Sequence, residues 1–156
     1  VRPVHREELV VISRDATHVE TPMTMERLAA LPLVLYDAGF GQADPTRRQL
    51  VEGGQVAGGT RAAIVEVEGV EAAVQLAEKG VADTVVARAV LRGRRSARAL
   101  TVASFAEPLW ETFALIGRRG APVSPATRAF VGILEKRLEA FGEISLYGTA
   151  TSGADG

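Results

Sequence analysis

The stretch VAGGTRAAIVEVEGVEAAVQLAEKGVADTVVA, residues 56–87, decides the fold. It reads as strand, amphipathic helix, glycine stop and second strand, which is one complete β-α-β unit. Residues 62–67 are a short apolar run able to cross a sheet, ended by Glu68 and Gly69. Val70, Ala73, Val74 and Ala77 then fall three and four apart as a helical stripe, while Glu71, Glu78 and Lys79 face away from it. Gly80 stops the helix, because glycine takes the left-handed conformation without a Cβ penalty, and Lys79 before it suits the negative end of the dipole. Residues 83–87 supply the second strand, rich in β-branched side chains. Such a crossover is nearly always right-handed and joins parallel strands, so the loops at both carboxyl ends point the same way. Those edges are where α/β sheets usually bind ligands.

Upstream, residues 8–13 form a compact apolar strand after an extended piece at 1–5 restricted by Pro3. The two pieces, joined through Arg6 and Glu7, could belong to different lobes. Residues 14–24 are polar and loop-like. Thr24 caps a short helix with Met25, Leu28 and Ala29 inward, and Pro32 marks its end. Residues 33–36 are an all-apolar strand of the kind found inside a parallel sheet. A loop with two glycines follows, and Asp44-Pro45 opens a helix with Leu50 and Val51 inward and Arg47 and Arg48 outward. Gly53 and Gly54 interrupt it, and 55–59 is either a ragged continuation or a loop.

Downstream, residues 88–98 hold five arginines, a strand covers 100–103, and the chain turns near Glu107-Pro108. A further strand is predicted over 110–116 and a polar turn over 118–122. Ser124-Pro125 starts a helix with Phe130, Leu134, Leu138 and Phe141 along one face. Residues 142–156 are rich in Gly, Ser, Thr and Ala and read as a frayed tail.

With 156 residues, the chain can bury roughly 70% of its unfolded surface, enough for one core or two small lobes. The apolar share of 47% and charged share of 24% are those of an ordinary globular protein. Eighteen basic against 19 acidic residues give no global basic bias toward nucleic acid. Only Lys79 and Lys136 are lysines, and the arginine preference reads as a genome habit. Absence of cysteine excludes disulfides, thiolate chemistry and cysteine-based metal sites. No apolar run approaches the length of about 18 residues that a membrane span requires, and no secretory leader opens the chain. The first residue is Val1, and the extended opening predicts an upstream part of the protein.

His5 and His18 are the only histidines and lack zinc-site spacing. The glycine pairs at 53–54 and 58–59, and Gly39-Phe40-Gly41, do not compose a dinucleotide fingerprint. Ser13, Ser96, Ser104 and Ser124 lack a nucleophile-elbow context, and the scattered acids lack the spacing of two-carboxylate or two-metal chemistry. No catalytic residue, metal ligand or cofactor is therefore assigned. Asp37, between Tyr36 and Gly39 past a strand, is either turn chemistry or, with Tyr36 and Phe40, the mouth of a cleft. Glu68 and Gly69 occupy the equivalent edge ahead of a helix N-terminus able to hold a carboxylate, with Gly69 and Val70 as backbone ligands. Glu68 reads equally as a solvated loop residue. Thr84 is either a ligand-facing hydroxyl or simply a β-former. The arginines at 88–98 read as a solvated loop before they read as a phosphate site.

Taken in order, these elements resemble the effector-binding domain of LysR-type bacterial transcriptional regulators. The residues that carry this are Glu7-Glu8-Leu9-Val10-Val11-Ile12, Met25-Glu26-Arg27-Leu28-Ala29 and Leu31-Pro32-Leu33-Val34-Leu35. They continue through Glu66-Val67-Glu68, Val70-Glu71-Ala72-Ala73-Val74-Gln75-Leu76, Gly80-Val81-Ala82-Asp83-Thr84 and Ser124-Pro125-Ala126-Thr127-Arg128-Ala129-Phe130. The chain departs from the pattern at Ala87-Arg88, where the family strand often ends in proline.

The resemblance implies a type II periplasmic-binding-protein-like α/β fold, with a Rossmann-like three-layer α/β/α lobe II over 6–105. It implies a partial lobe I from 1–5 and 106–141, and a tail at 142–156. It further implies a cytoplasmic regulator that is not an enzyme, has no cofactor and no membrane partner, and assembles as a homodimer or homotetramer. A small-molecule effector, by family habit a small organic acid, would bind between the lobes against Tyr36, Asp37, Ala38, Gly39, Phe40, Glu68, Gly69, Val70 and Thr84. DNA would be bound through an N-terminal winged helix-turn-helix absent from this chain. Two rival readings use related bilobal folds. A transport-type solute-binding protein predicts an upstream signal peptide, whereas an enzyme of prephenate dehydratase or porphobilinogen deaminase type needs Asp37, Glu68 and Thr84 for turnover.

Overall fold

Leu9, Val10, Val11 and Ile12 are fully buried in β1 (Arg2–Ser13), and successive side chains go to opposite faces of it. Leu9 and Val11 join one apolar cluster with Val19, Met23, Leu28, Leu50 and Phe105. Val10 and Ile12 join another with Val74, Ala77, Val86 and Leu100. An unbroken apolar run suits a strand covered on both sides, and each such side chain contributes about 1.5–3 kcal/mol by leaving water. The structure is a computed structural model that describes residues 1–19, 22–36, 48, 50, 52, 65–118, 120 and 122–139. Its contacts divide the chain into two units, Glu7–Glu111 and Val1–Arg6 with Thr112–Gly156.

In the unit Glu7–Glu111, β1 is paired on both edges. β4 (Thr84–Ala87) runs antiparallel to it with Leu9 opposite Ala87 and Ile12 opposite Thr84. β5 (Thr101–Ser104) runs antiparallel on its other edge with Val10 opposite Ser104. β2 (Val34–Leu35) and β3 (Val65–Glu66) pair in parallel, with Val34 opposite Val65. A parallel bridge between Leu33 and Asp83 joins β2 to the start of β4. Its bonds are Val34 N–H to the Asp83 carbonyl at 2.8 Å and Asp83 N–H to the Pro32 carbonyl at 2.7 Å. The strand-helix-strand unit therefore joins β3 to β4 with β2 lying between them. β6 (Trp110–Leu115) also pairs with β1.

Helices α1 (Met25–Ala30) and α2 (Val70–Glu78) pack on this sheet. α1 is capped by Thr24, whose Oγ1 accepts from the Arg27 N–H at 3.3 Å, and it buries Leu28. α2 buries Ala73, Val74 and Ala77, the stripe expected of it. Its end is closed by the Gly80 N–H bonding to the Ala77 carbonyl and the Val81 N–H to the Leu76 carbonyl, with Gly80 at φ +69°. The Arg14 side chain lies over Gly80 and donates to the Glu78 carbonyl at 2.8 Å. Glu71 and Lys79 are exposed as expected, but Glu78 is only half-exposed.

Several expectations need correction. Residues 2–5 and 8–13 lie on one continuous strand, because Arg6 and Glu7 are accommodated without a break in extended backbone, although the two pieces do fall in different units. The segment after it is not merely polar loop: Ala16–Val19 forms a 3-10 turn, and Val19 and Met23 are buried. Met23 is drawn in by backbone bonds from its N–H to the Ser104 carbonyl and from the Ala106 N–H to its own carbonyl. The arginine segment is solvated as expected at Arg92, Gly93, Arg95 and Arg98, but it is not an irregular loop. It forms 3-10 turns at Arg88–Leu91 and Ser96–Ala99, and its side chains find acids: Arg88 meets Glu8, Arg92 meets Glu7 and Arg94 meets Glu71.

In the helix expected to start at Asp44, Leu50 is buried and Arg48 exposed, while Asp44, Arg47 and Val51 lie outside the described residues. Residues 55–59, 62–64 and 142–156 also lie outside them.

The unit Val1–Arg6 with Thr112–Gly156 holds the start of β1, most of β6 and α3 (Pro125–Glu139). Ser124 caps α3 as expected, its Oγ accepting from the Thr127 N–H at 3.1 Å. His5 and Phe113 stack with ring centroids 6.1 Å apart, and Arg2 ion-pairs with Glu135. Leu134 and Leu138 are half-buried, yet Phe130, expected on the same inward face, is 63% exposed. Phe141 lies outside the described residues.

Gly80 sits where a Cβ is penalised, so Gly80→Ala should lower stability by about 1–2 kcal/mol. Urea unfolding measures this. Gly69→Ala, with φ −129° at that position and no atom within 4 Å of the added methyl group, should leave stability unchanged.

Candidate functional site

The carboxyl ends of β2 and β3 lie side by side, because Leu35 is opposite Glu66 and the Val67 N–H bonds to the Leu35 carbonyl at 2.9 Å. Tyr36 thus leaves β2 beside Val67, and Glu68, Gly69 and Val70 continue from that same edge into α2. Tyr36 is half-buried and packs against the clusters containing Val74 and Ala73. Glu68 is exposed. Gly69 is the N-cap of α2 in extended backbone, with no side-chain cap over the first turn. The first N–H groups of a helix have no intrahelical acceptors and carry the positive end of its dipole, which suits an anion.

Asp37, Ala38, Gly39 and Phe40 lie outside the described residues. Thr84 is placed differently. The Leu33–Asp83 bridge sets Thr84 level with Val34, at the amino end of β4. Its side chain is fully buried and its hydroxyl donates to the Val34 carbonyl at 3.0 Å, tying β4 to β2. The structure brings Tyr36 together with Glu68, Gly69 and Val70; it does not bring Thr84 to that edge.

The carboxyl end of β4 instead carries Arg88. Its Nε donates to Glu8 Oε2 at 2.8 Å and its NH2 to Ser104 Oγ at 2.9 Å. Glu8 is on β1 and Ser104 on β5, so one guanidinium spans three neighbouring strands. The hydrogen bond from Arg88 holds the Glu8 carboxyl below its usual value of 4.5, Ser104 and the guanidinium charge adding to this against the opposing effect of partial burial. Sequence reasoning passed over this trio. The available signal was an arginine directly after an apolar strand, but its partners are set by antiparallel pairings that no local pattern encodes.

At the opposite end of β4, His18 Nδ1 lies 2.8 Å from Oδ2 of the buried Asp83. Among the described residues no three His, Asp or Glu side chains converge as metal ligands.

A family model described as the LysR substrate binding domain matches residues 1–139. The chain belongs to this family, and its fold is the type II periplasmic-binding-protein-like α/β fold of the effector-binding domains of LysR-type regulators. Among solved structures it is similar to the C-terminal domain of a probable LysR family transcriptional regulator from Rhodococcus sp. RHA1, at 20% identity and TM-score 0.63, covering 85% of this chain and 65% of that one. It is similar to the effector binding domain of QuiR in complex with shikimate, at 18% identity and TM-score 0.67, covering 89% of this chain and 65% of that one. Full-length CbnR complexed with its target DNA matches at 18% identity and TM-score 0.58, covering 88% of this chain and 46% of that one. The chain thus spans just under two thirds of the effector domains it resembles and under half of the full-length regulator. No curated protein matches it in sequence.

Because Glu8 has a lowered pKa when folded, its contribution is complete above the unfolded value of 4.5 and is lost as pH falls through the folded one. Glu8→Gln should therefore be less stable than the parent at about pH 6, and the difference should shrink toward about pH 3. Urea midpoints across that range measure it.

Proposed function

We propose that this chain is the sensing part of a LysR-type DNA-binding transcriptional regulator. In this reading the unit Glu7–Glu111 serves as lobe II and the rest of the chain contributes to lobe I. A small molecule binds between lobes against the edge carrying Tyr36, residues 37–40, and Glu68, Gly69 and Val70. The observation that supports it most directly is the in-register pairing of β2 and β3, which sets Tyr36 beside the uncapped start of α2 within a chain of this family. Shikimate in the QuiR domain and DNA in the CbnR complex are the matching precedents in similar folds.

The output is a change of shape. No bond of the effector is made or broken, and no cofactor takes part. An effector with tenfold higher affinity for one arrangement supplies about 1.4 kcal/mol of bias toward it. That bias alters how a helix-turn-helix, carried elsewhere in a cytoplasmic homodimer or homotetramer, meets DNA. Among the described residues no helix is long and apolar enough to cross a membrane.

The test is footprinting of the full-length regulator on its own promoter region with and without a broad metabolite panel. A footprint that shifts with one compound is the expected result, and a footprint unchanged by all of them refutes sensing. Gly69→Ala, which adds a methyl group at the backbone edge, should weaken the response at least about threefold while the melting temperature stays at the parental value. Calorimetric titration with the active compound measures the loss.

A further inference from the structure

Resting on the sensing role above, we propose that Arg88 is the anion-recognising side chain of the ligand edge, receiving an effector carboxylate while Glu8 and Ser104 hold it in place.

The placement comes first. β4 runs parallel to β2 from the Leu33–Asp83 bridge, which sets Val86 level with Tyr36 and puts Arg88 two positions further toward the carboxyl edge. Arg88 therefore emerges on the side of the sheet where Tyr36 and the start of α2 emerge, which Thr84 does not. Its side chain remains 43% exposed although it is held at two points.

The geometry of the guanidinium is the second observation. An arginine has five N–H donors in a rigid plane with two flat edges. Nε and NH2 carry the bonds to Glu8 and Ser104, so the flank facing back toward the sheet is occupied. The remaining three N–H groups, which include both on NH1, have no partner among the described residues. Two of them, one on NH1 and one on NH2, form the end-on edge, which can donate to a carboxylate in a two-pronged pair.

Charge is the third. Arg88, Arg92, Arg94, Arg95 and Arg98 share a segment with no acidic residue, and among the described residues Glu7, Glu8 and Glu71 pair with it. The segment keeps an excess of positive charge after these pairs are counted. A plain structural ion pair explains the Glu8 contact, but it leaves the open edge and the surplus charge without a use.

Calorimetry on the full chain with benzoate, succinate and shikimate, each beside its neutral amide, tests this, followed by a panel of neutral and cationic metabolites. Circular dichroism melting checks every variant. We expect at least one carboxylate to bind and its amide to bind at least about tenfold more weakly. Arg88→Lys keeps the charge without the flat edge and should lose about tenfold, Arg88→Gln should lose more, and Ser104→Ala should lose less. If Arg88→Gln fails to fold, Arg88→Lys and the acid-against-amide comparison decide. Equal binding of acid and amide, parental affinity in Arg88→Lys, or binding of neutral or cationic compounds only overturns the role of Arg88 and leaves sensing intact. No binding by any compound, together with an unchanged footprint, overturns both.

Discussion

The burial of Leu9, Val10, Val11 and Ile12 on both faces of one strand is the constraint on which the fold turns. A strand with no exposed face cannot lend its backbone N–H and C=O groups to water, so both of its edges must be paired. β4 and β5 supply those pairs. The alternation of side chains then divides the core, with Leu9 and Val11 facing the layer of α1 and Val10 and Ile12 facing α2. A slip of one residue would exchange these two sets and would also move Glu8 away from Arg88. Core register and the charged trio at the sheet edge are thus fixed by the same pairing.

Much of this was legible locally. The spacing of Ala73, Val74 and Ala77, the stop at Gly80 and the caps at Thr24 and Ser124 depend on residues within a few positions of one another, and all are found as read. Family membership was legible too, from the order of elements across most of the chain. What escaped depends on partners far away in sequence. Met23 is buried because it bridges beside Phe105, and Arg88, Arg92 and Arg94 pair with acids on β1 and α2. The Thr84 hydroxyl meets a carbonyl fifty residues away. Sequence periodicity reports which face of an element is apolar; it carries no information about which strand lies alongside.

The candidate site follows the same division. Tyr36, Glu68, Gly69 and Val70 were singled out by a rule about carboxyl edges, and the parallel pairing of β2 and β3 brings them to one edge. Arg88 obeys that rule as well, whereas Thr84 breaks it by standing at the amino end of its strand. The bond from Thr84 to Val34 still matters at a distance, since it fixes β4 against β2 and so sets how far Arg88 projects beyond Tyr36. A residue with no surface of its own thereby helps shape the proposed ligand edge.

Trp110 opens β6, is 38% exposed, and stands one residue before Glu111, where the unit containing the candidate edge ends. It is also the sole tryptophan in the sequence. The chain therefore carries a native fluorophore at the start of β6. In this chain a change in polarity or quenching there will appear as a wavelength or intensity change assignable to one position, with no dye attached.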